Sequence, residues 1–165
     1  MNDWERDYAA WVDGRGGALR GTAYLLCGNW HAAEDLTQTT LTKLYLAWCR
    51  IDRAGSVDAY ARQTLMRTFL DERRRPWRRE RPAADPPDLA TPGDATGAVA
   101  ERMALEAALR GLPPNQRAVL VLRYWCDLDV RATAAALDIS EGTVRSATSR
   151  GLAALRAVLD REEIR

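Results

Sequence analysis

The stretch DISEGTVRSATSRGLAALR, residues Asp138 to Arg156, decides how the second half of this chain folds. Its apolar positions recur at the i, i+3, i+4, i+7 spacing of one helix face. This stripe consists of Val144, Ala147, Thr148, Gly151, Leu152 and Leu155. Ser140 is a suitable N-cap, so we predict a helix from Ser140 to about residue 159. The stripe is enough to explain folding, which leaves the polar face of the helix to be explained.

That polar face carries Arg145, Ser146, Ser149 and Arg150, and Thr143 lies near the helix start. A short helix is predicted just upstream, over residues 131–137, followed by a turn at residues 138–140. A short helix, a tight turn and a second helix with an Arg- and Ser-rich face match a helix-turn-helix, whose second helix enters the major groove. An ordinary helical corner with a solvated outer face is the alternative interpretation of this stretch.

The rest of the chain is organised around its prolines, all seven of which lie between Pro76 and Pro114. The first 75 residues are therefore free to be helical. The segment PAADPPDLATPGDATGA, residues 82–98, has no apolar period and is typical of a linker. We predict an all-α protein of two small helical domains, residues 1–80 and 100–160, joined by a Pro/Ala/Asp-rich linker over 81–99.

Helical periodicity predicts further elements in both halves. In the first half we expect helices over about 18–27, 32–48 and 58–74, with a turn at the GRGG sequence of residues 14–17. In the second half we expect helices over 101–110 and 115–126 ahead of the helix-turn-helix. No alternating strand pattern appears.

Charge is concentrated in one part of the chain, although the formal net charge is only +1. Residues 61–81 hold eight arginines against three acidic residues, whereas the segments before and after each carry net −2. Such a basic block is either an electrostatic footprint for a polyanion or a solvated edge of a domain.

Composition argues against an enzyme or a metalloprotein. His31 is the single histidine, and with Cys27 it supplies only two potential zinc ligands. The GRGG sequence lacks the Lys-Ser/Thr ending of a phosphate-binding loop. We therefore expect no metal, no cofactor and no catalytic site.

The sequence predicts a cytoplasmic protein without a membrane segment. Its first residues, MNDWERDYAAW, are acidic and lack an apolar signal region. No stretch approaches the roughly 18 apolar residues of a membrane span. Cys27, Cys49 and Cys126 are odd in number and far apart, which favours reduced thiols.

Two parts of the chain resemble the bacterial sigma-70 family of RNA polymerase factors. Residues 112–156 are similar to domain 4, and the runs LPPNQRAVLVLRYW and ISEGTVRSATSRGLAALR are typical of its extracytoplasmic-function group. LRGTAYLLCGNWHAAEDLTQTTLTKLYLAW resembles domain 2, and DAYARQTLMRTFLDERRR resembles the helix after its promoter-reading loop. The segment AYLLCGNWHAAEDL most resembles the sequences of the actinobacterial sigma-E-like subfamily.

The resemblance implies an initiation factor that joins core RNA polymerase and selects promoter DNA. It implies that Asp35, Gln38 and Thr42 face the clamp helices of the polymerase β′ subunit, and that domain 4 meets the β flap. It also implies that the polar face of the last helix reads the −35 element: Thr143, Arg145, Ser146, Ser149 and Arg150. Many family members bind an anti-sigma factor, which is a further potential partner.

For the −10 element, the resemblance assigns base capture to the loop over 51–57. A flipped base needs a pocket and polar contacts, which Asp52, Arg53 and Ser56 can supply. The following helix would present four arginines to phosphates: Arg62, Arg67, Arg73 and Arg74. Trp48 and Trp77 could stack on bases, although core packing is the favoured interpretation for Trp48.

The chain departs from the family pattern at two places. Arg131 and Ala132 stand where the group usually has two acidic residues, and Thr39 stands where Glu is frequent. The competing hypothesis is a two-domain helix-turn-helix regulator that does not recruit polymerase. That hypothesis does not predict the pattern in the first half of the chain.

Overall fold

The structure, a computed structural model, describes residues 1–51, 55–75 and 97–164, whose regular elements are all helical. The helices are α1 (Asp3–Cys27), α2 (Trp30–Ile51), α3 (Val57–Arg74), α4 (Gly97–Arg110), α5 (Pro114–Leu120), α6 (Val130–Leu137) and α7 (Glu141–Glu163). A π-helical turn, Val121–Trp125, continues α5. The all-α prediction is therefore confirmed.

The first helix is longer than the sequence predicts. The expected turn at residues 14–17 is wrong, because α1 continues through this segment without a break. Each glycine weakens a helix by about 1 kcal/mol relative to alanine. Packing of Trp11, Val12 and Leu19 against the core offsets this cost, and Gly28 ends the helix in a left-handed conformation at φ 81°.

Helices α1, α2 and α3 pack together around the apolar positions that the sequence indicates. Leu36, Leu44 and Phe69 are almost completely inaccessible to solvent. Trp48 is only 6% exposed and contacts Tyr8 edge-to-face at 5.3 Å between ring centroids. Trp48 is therefore a core residue, whereas Trp77 lies outside the described residues.

The helix-turn-helix forms where it is predicted. Asp129 caps α6 by accepting a hydrogen bond from the Ala132 N–H at 2.7 Å, and α6 ends at Asp138 in a left-handed conformation. Ser140 then caps α7 by accepting from the Thr143 N–H at 3.0 Å. A Cβ atom on Gly151 would lie 2.9 Å from Leu120 Cδ1, so the glycine allows α7 to approach α5 closely.

The two halves of the chain pack against each other. One hydrophobic cluster joins residues of α1–α3 to Ala118, Val121 and Leu122 of the C-terminal half. A second cluster places Leu25 of α1 against α4, α5 and α7. Most of the predicted linker lies outside the described residues, and α4 begins at Gly97, slightly before the domain start predicted at residue 100.

Candidate nucleic-acid interface

Helix α7 separates its two faces as the sequence predicts. Val144 is completely buried and Leu155 is 9% exposed, so the apolar stripe packs into the core. The five predicted −35 residues are exposed on the other side of the helix: Thr143, Arg145, Ser146, Ser149 and Arg150. The structure thus brings all five together on one solvent-facing surface.

The side chains at the start of this face are held by local contacts. The Thr143 and Ser140 hydroxyl oxygens lie 2.8 Å apart, and Ser140 also caps the helix. The Arg145 guanidinium donates to Glu141 Oε2 at 3.3 Å. Both side chains of this ion pair are about half exposed or more, so the pair adds little stability. Arg145 is consequently free to exchange Glu141 for an outside acceptor.

The four arginines predicted to follow the −10 loop do not share one face of α3. At 100° per residue, Arg62 and Arg73 point within about 20° of each other, whereas Arg67 and Arg74 lie about 100–140° away from them. Arg62 is partly buried and lines a groove against α6, whereas Arg73, on the same side of α3, is exposed. Arg67 and Arg74 are exposed on the other side.

Of the predicted base-capture residues, only Ser56 lies within the described part of the chain. Its hydroxyl oxygen accepts a hydrogen bond from the Ala59 N–H at 3.2 Å and caps α3. Ser56 therefore has a structural role that leaves its hydroxyl proton and one lone pair available to a base. Asp52 and Arg53 lie outside the described residues.

A groove of about 630 Å³ lies between the end of α2, the start of α3 and helix α6. Besides Ser56 and Arg62, its wall includes Arg50, Tyr60 and Gln63, which the sequence analysis missed. Their positions immediately before the loop and one turn into α3 are the signal that could have identified them. The opposite wall consists of small side chains: Ala132, Ala135 and Ala136.

Helix α6 covers part of this surface. The Gln63 side-chain amide donates to the Ala135 carbonyl at 3.4 Å, which links α3 directly to the first helix of the helix-turn-helix. Ala132, one of the two departures from the family pattern predicted in this helix, lines the groove. Helix α6 therefore borders the side of α3 that carries Arg62 and Gln63.

Arg117 of α5 holds the two halves together from inside. It is 4% exposed and donates hydrogen bonds to the carbonyl oxygens of Leu26 at 2.6 Å, Arg110 at 2.8 Å and Leu112 at 2.9 Å. Its guanidinium also lies 5.9 Å from the Phe69 ring centroid. Burial lowers the pKa of Arg117 to about 10, so the side chain remains charged at neutral pH.

The predicted polymerase face of α2 lies apart from this interface. Asp35, Gln38 and Thr42 are all exposed along one side of the helix. The Thr42 hydroxyl donates to the Gln38 backbone carbonyl at 2.9 Å, so its contacts are made within α2. The packing of the C-terminal half therefore leaves these three side chains accessible to a partner.

The described residues contain no group of three His, Cys, Asp or Glu side chains placed to hold a metal ion. Within the described ranges, no helix is long and apolar enough to cross a membrane.

The pKa of Cys126 is raised by burial, which keeps its thiol protonated.

Comparison with protein families agrees with this geometry. The model of the family described as Sigma-70 region 2 matches residues 12–79, and that of Sigma-70, region 4 matches residues 102–155. The sigma-E factor of Streptomyces coelicolor is 37% identical over 157 residues, which cover 93% of this chain and 86% of that protein. The sigma-E factor of Streptomyces antibioticus is 39% identical over 132 residues, 80% of this chain and 73% of that protein.

Solved structures share the arrangement of helices. The sigma factor RpoE of Bartonella quintana, crystallised with the anti-sigma factor NepR, superposes with a TM-score of 0.76 at 23% identity, covering 94% of this chain and 98% of that one. CnrH in complex with the cytosolic domain of CnrY gives a TM-score of 0.67 at 22% identity, covering 95% and 90%. These likenesses support the fold.

Proposed function

This chain belongs to the extracytoplasmic-function group of the sigma-70 family, and from that premise we propose how its surfaces share the work of a sigma factor. As a sigma factor, it binds core RNA polymerase and directs promoter recognition and transcription initiation. The observation that carries this conclusion is that region 2 and region 4 both match, in that order, on one chain. A regulator that does not recruit polymerase would leave region 2 without a role.

Reading of the −35 element is assigned to the exposed face of α7. Arg145 and Arg150 provide guanidinium groups that can pair with guanine in the major groove. Ser146, Ser149 and Thr143 provide hydroxyls for phosphates or base edges. Their shared exposure on a helix whose other face is buried supports this role.

Recognition of the −10 element is assigned to the loop over 51–57 and to α3. Asp52, Arg53 and Ser56 would contact a flipped base, and Arg62, Arg67, Arg73 and Arg74 would contact phosphates. The groove beside Ser56 supports the location, and it adds Arg50, Tyr60 and Gln63 to the candidate contacts.

Docking on the β′ clamp helices is assigned to Asp35, Gln38 and Thr42, whose exposure on α2 supports an interface. Residues 1–80 would form the polymerase- and −10-binding part, and residues 100–160 would bind the −35 element and the β flap.

We expect the protein to act in the cytoplasm, because core polymerase and promoter DNA are there. We assign no catalytic residue, because sigma factors are initiation factors rather than a class of enzymes.

An anti-sigma factor is the further partner that we propose, since the Bartonella relative was crystallised with one. Co-purification of this chain from its host, followed by identification of bound proteins, would test that partnership. A stoichiometric partner that prevents binding to core polymerase is the expected result. If the chain is recovered active and without a bound protein under all growth conditions, the proposed anti-sigma partnership is wrong.

Reconstitution with purified core polymerase tests the proposed function. The chain and core polymerase together should give discrete start sites in run-off transcription on promoter fragments, and core polymerase alone should not. A matched experiment with the chain alone on the same duplex DNA identifies binding without polymerase. Promoter-specific binding by the chain alone, together with no binding to core polymerase at micromolar concentration, would favour the regulator instead.

A further inference from the structure

Two side chains of helix α1 contact the carboxylate of Asp58, in the first turn of α3. The Trp11 indole N–H donates to Asp58 Oδ1 at 2.9 Å, across 47 positions of sequence. The Arg15 guanidinium lies 3.4 Å from Asp58 Oδ2. Trp11 and Arg15 are four residues apart and so share one face of α1. Both oxygens of Asp58 are therefore engaged by the first helix of the chain.

The indole is itself held in place. Trp11 is partly buried, and its ring contacts the Trp48 ring at 6.2 Å between centroids in a tilted edge-to-face arrangement. Trp48 belongs to α2 and is 6% exposed. A hydrogen bond from a donor fixed in this way constrains the position of its acceptor, because the donor cannot follow if the acceptor moves.

Asp58 lies where the −10 loop rejoins the helical framework. It occupies the first turn of α3, two residues after the capping residue Ser56. Ser56 lies on the wall of the groove beside this loop. The position of Asp58 relative to α1 and α2 therefore determines where Ser56 and the end of the loop stand.

We propose that Trp11 and Arg15 are positioning residues for −10 recognition. Both act through Asp58, and together they fix the start of α3 and the end of the loop relative to α2. The inference rests on the proposed function, since it assumes that this loop reads the −10 element. It adds residues of the first helix, outside the loop and outside α3, to the determinants of base preference.

The two contacts are expected to differ in strength. Arg15 is 62% exposed and Asp58 is 35% exposed, so water and salt screen their attraction. The Trp11 hydrogen bond is partly buried and meets a charged acceptor, which makes it the stronger of the two. Loss of the Arg15 contact should therefore matter only at low salt, whereas loss of the Trp11 contact should matter at every salt concentration.

The test substitutes Trp11→Phe, which retains an aromatic ring against Trp48 and removes the N–H. Promoter binding by the reconstituted holoenzyme is measured against single-base changes in the −10 and −35 elements. We expect the discrimination among −10 variants to fall by about fivefold, the worth of one hydrogen bond, with −35 discrimination unchanged. Trp4→Phe is the matched control, because Trp4 lies on the same helix and contacts Tyr45 at 5.1 Å instead.

A second pair of substitutions provides a rescue that does not alter the aromatic core. Asp58→Asn retains a side-chain oxygen that can accept from Trp11, whereas Asp58→Ala does not. We expect Asp58→Asn to retain most of the −10 discrimination and Asp58→Ala to lose it. If Trp11→Phe lowers the melting temperature strongly, the comparison of Asp58→Asn with Asp58→Ala tests the positioning role instead.

The outcomes separate the inference from its premise. If the wild-type holoenzyme binds all −10 variants with equal affinity, the proposed role of the loop is wrong. If the wild type discriminates and Trp11→Phe discriminates equally well, with Asp58→Ala also unaffected, the positioning role is wrong. A uniform loss of affinity across all promoter variants would likewise overturn it, because that pattern indicates a general structural defect.

Discussion

The two proposed DNA-facing surfaces of this sigma factor, the −35 face and the −10 surface, are built in different ways. The −35 face belongs to a single helix, α7, and its five candidate contacts are exposed although the two halves of the chain are packed together. The −10 surface is assembled from the end of α2, the loop, and α3, and α6 covers part of it. One surface is complete within a short segment, whereas the other depends on how several helices are arranged.

The difference indicates that the arrangement seen here has unequal consequences for the two promoter elements. Duplex DNA can reach Arg145 and Arg150 without any movement of the C-terminal half. In the proposed −10 role, a strand that contacts Arg62 and Gln63 enters beside α6, which is joined to α3 by the Gln63–Ala135 hydrogen bond. We expect the packing of the two halves around Arg117 to influence access to the proposed −10 surface.

The largest expected effect concerns Arg117. Arg117→Ala removes a buried cation and leaves three backbone carbonyls without their donor, including that of Leu26 across the interface. We expect the free energy of unfolding to fall by about 3 kcal/mol, as measured by urea denaturation. Arg156→Ala, an exposed position on α7, is the control and should change it by less than about 0.5 kcal/mol.

Arg117→Lys sharpens the same test. Lysine keeps the charge but lacks the planar fork that reaches several carbonyls at once, so its stability should lie between those of the wild type and Arg117→Ala. A loss below about 1 kcal/mol for Arg117→Ala would show that the hydrophobic clusters alone hold the halves together.

The next effect concerns base reading by α7. Arg145→Ala should weaken binding of the holoenzyme by about 1–3 kcal/mol and relax preference at one position of the −35 element. Glu141→Gln is the control, since it removes the charge opposite Arg145 without removing the guanidinium. Equal loss for every single-base variant would identify Arg145 as a phosphate contact.

A smaller effect distinguishes the two sides of α3. Arg74→Ala should reduce the salt dependence of DNA binding by about one unit, in the free chain as well as in the holoenzyme. Arg62→Ala should do so only in the holoenzyme, because Arg62 lies opposite α6 on the wall of the groove. Identical slopes for both variants in the free chain would mean that α6 does not restrict access to α3.

The smallest effect on stability is expected near the start of α2, on its predicted polymerase face. Asp35→Ala combined with Gln38→Ala should weaken binding to core polymerase while changing the free energy of unfolding by less than about 0.5 kcal/mol. Both side chains are exposed, so few native contacts are lost. A large loss of stability, measured by thermal unfolding, would show that this face is structural.

Local patterns were sufficient to predict much of this molecule. The helix-turn-helix followed from the apolar stripe of α7 and from a capping residue, Ser140, that acts within its own turn. The exposure of the five proposed −35 residues followed from the same helical period. The turn predicted at residues 14–17 failed because local glycine preference was outweighed by the packing of α1 against distant helices.

The sequence by itself therefore determined the helical class, the helix-turn-helix and the polar face of α7, because period and capping act over a few residues. Only the tertiary structure decided that Arg117 would be buried against Leu26, that Trp11 would meet Asp58, and that α6 would pack opposite Arg62. These relations join residues far apart in the chain or depend on what packs against each helix face. They arise from the mutual packing of whole helices, which no local spacing specifies.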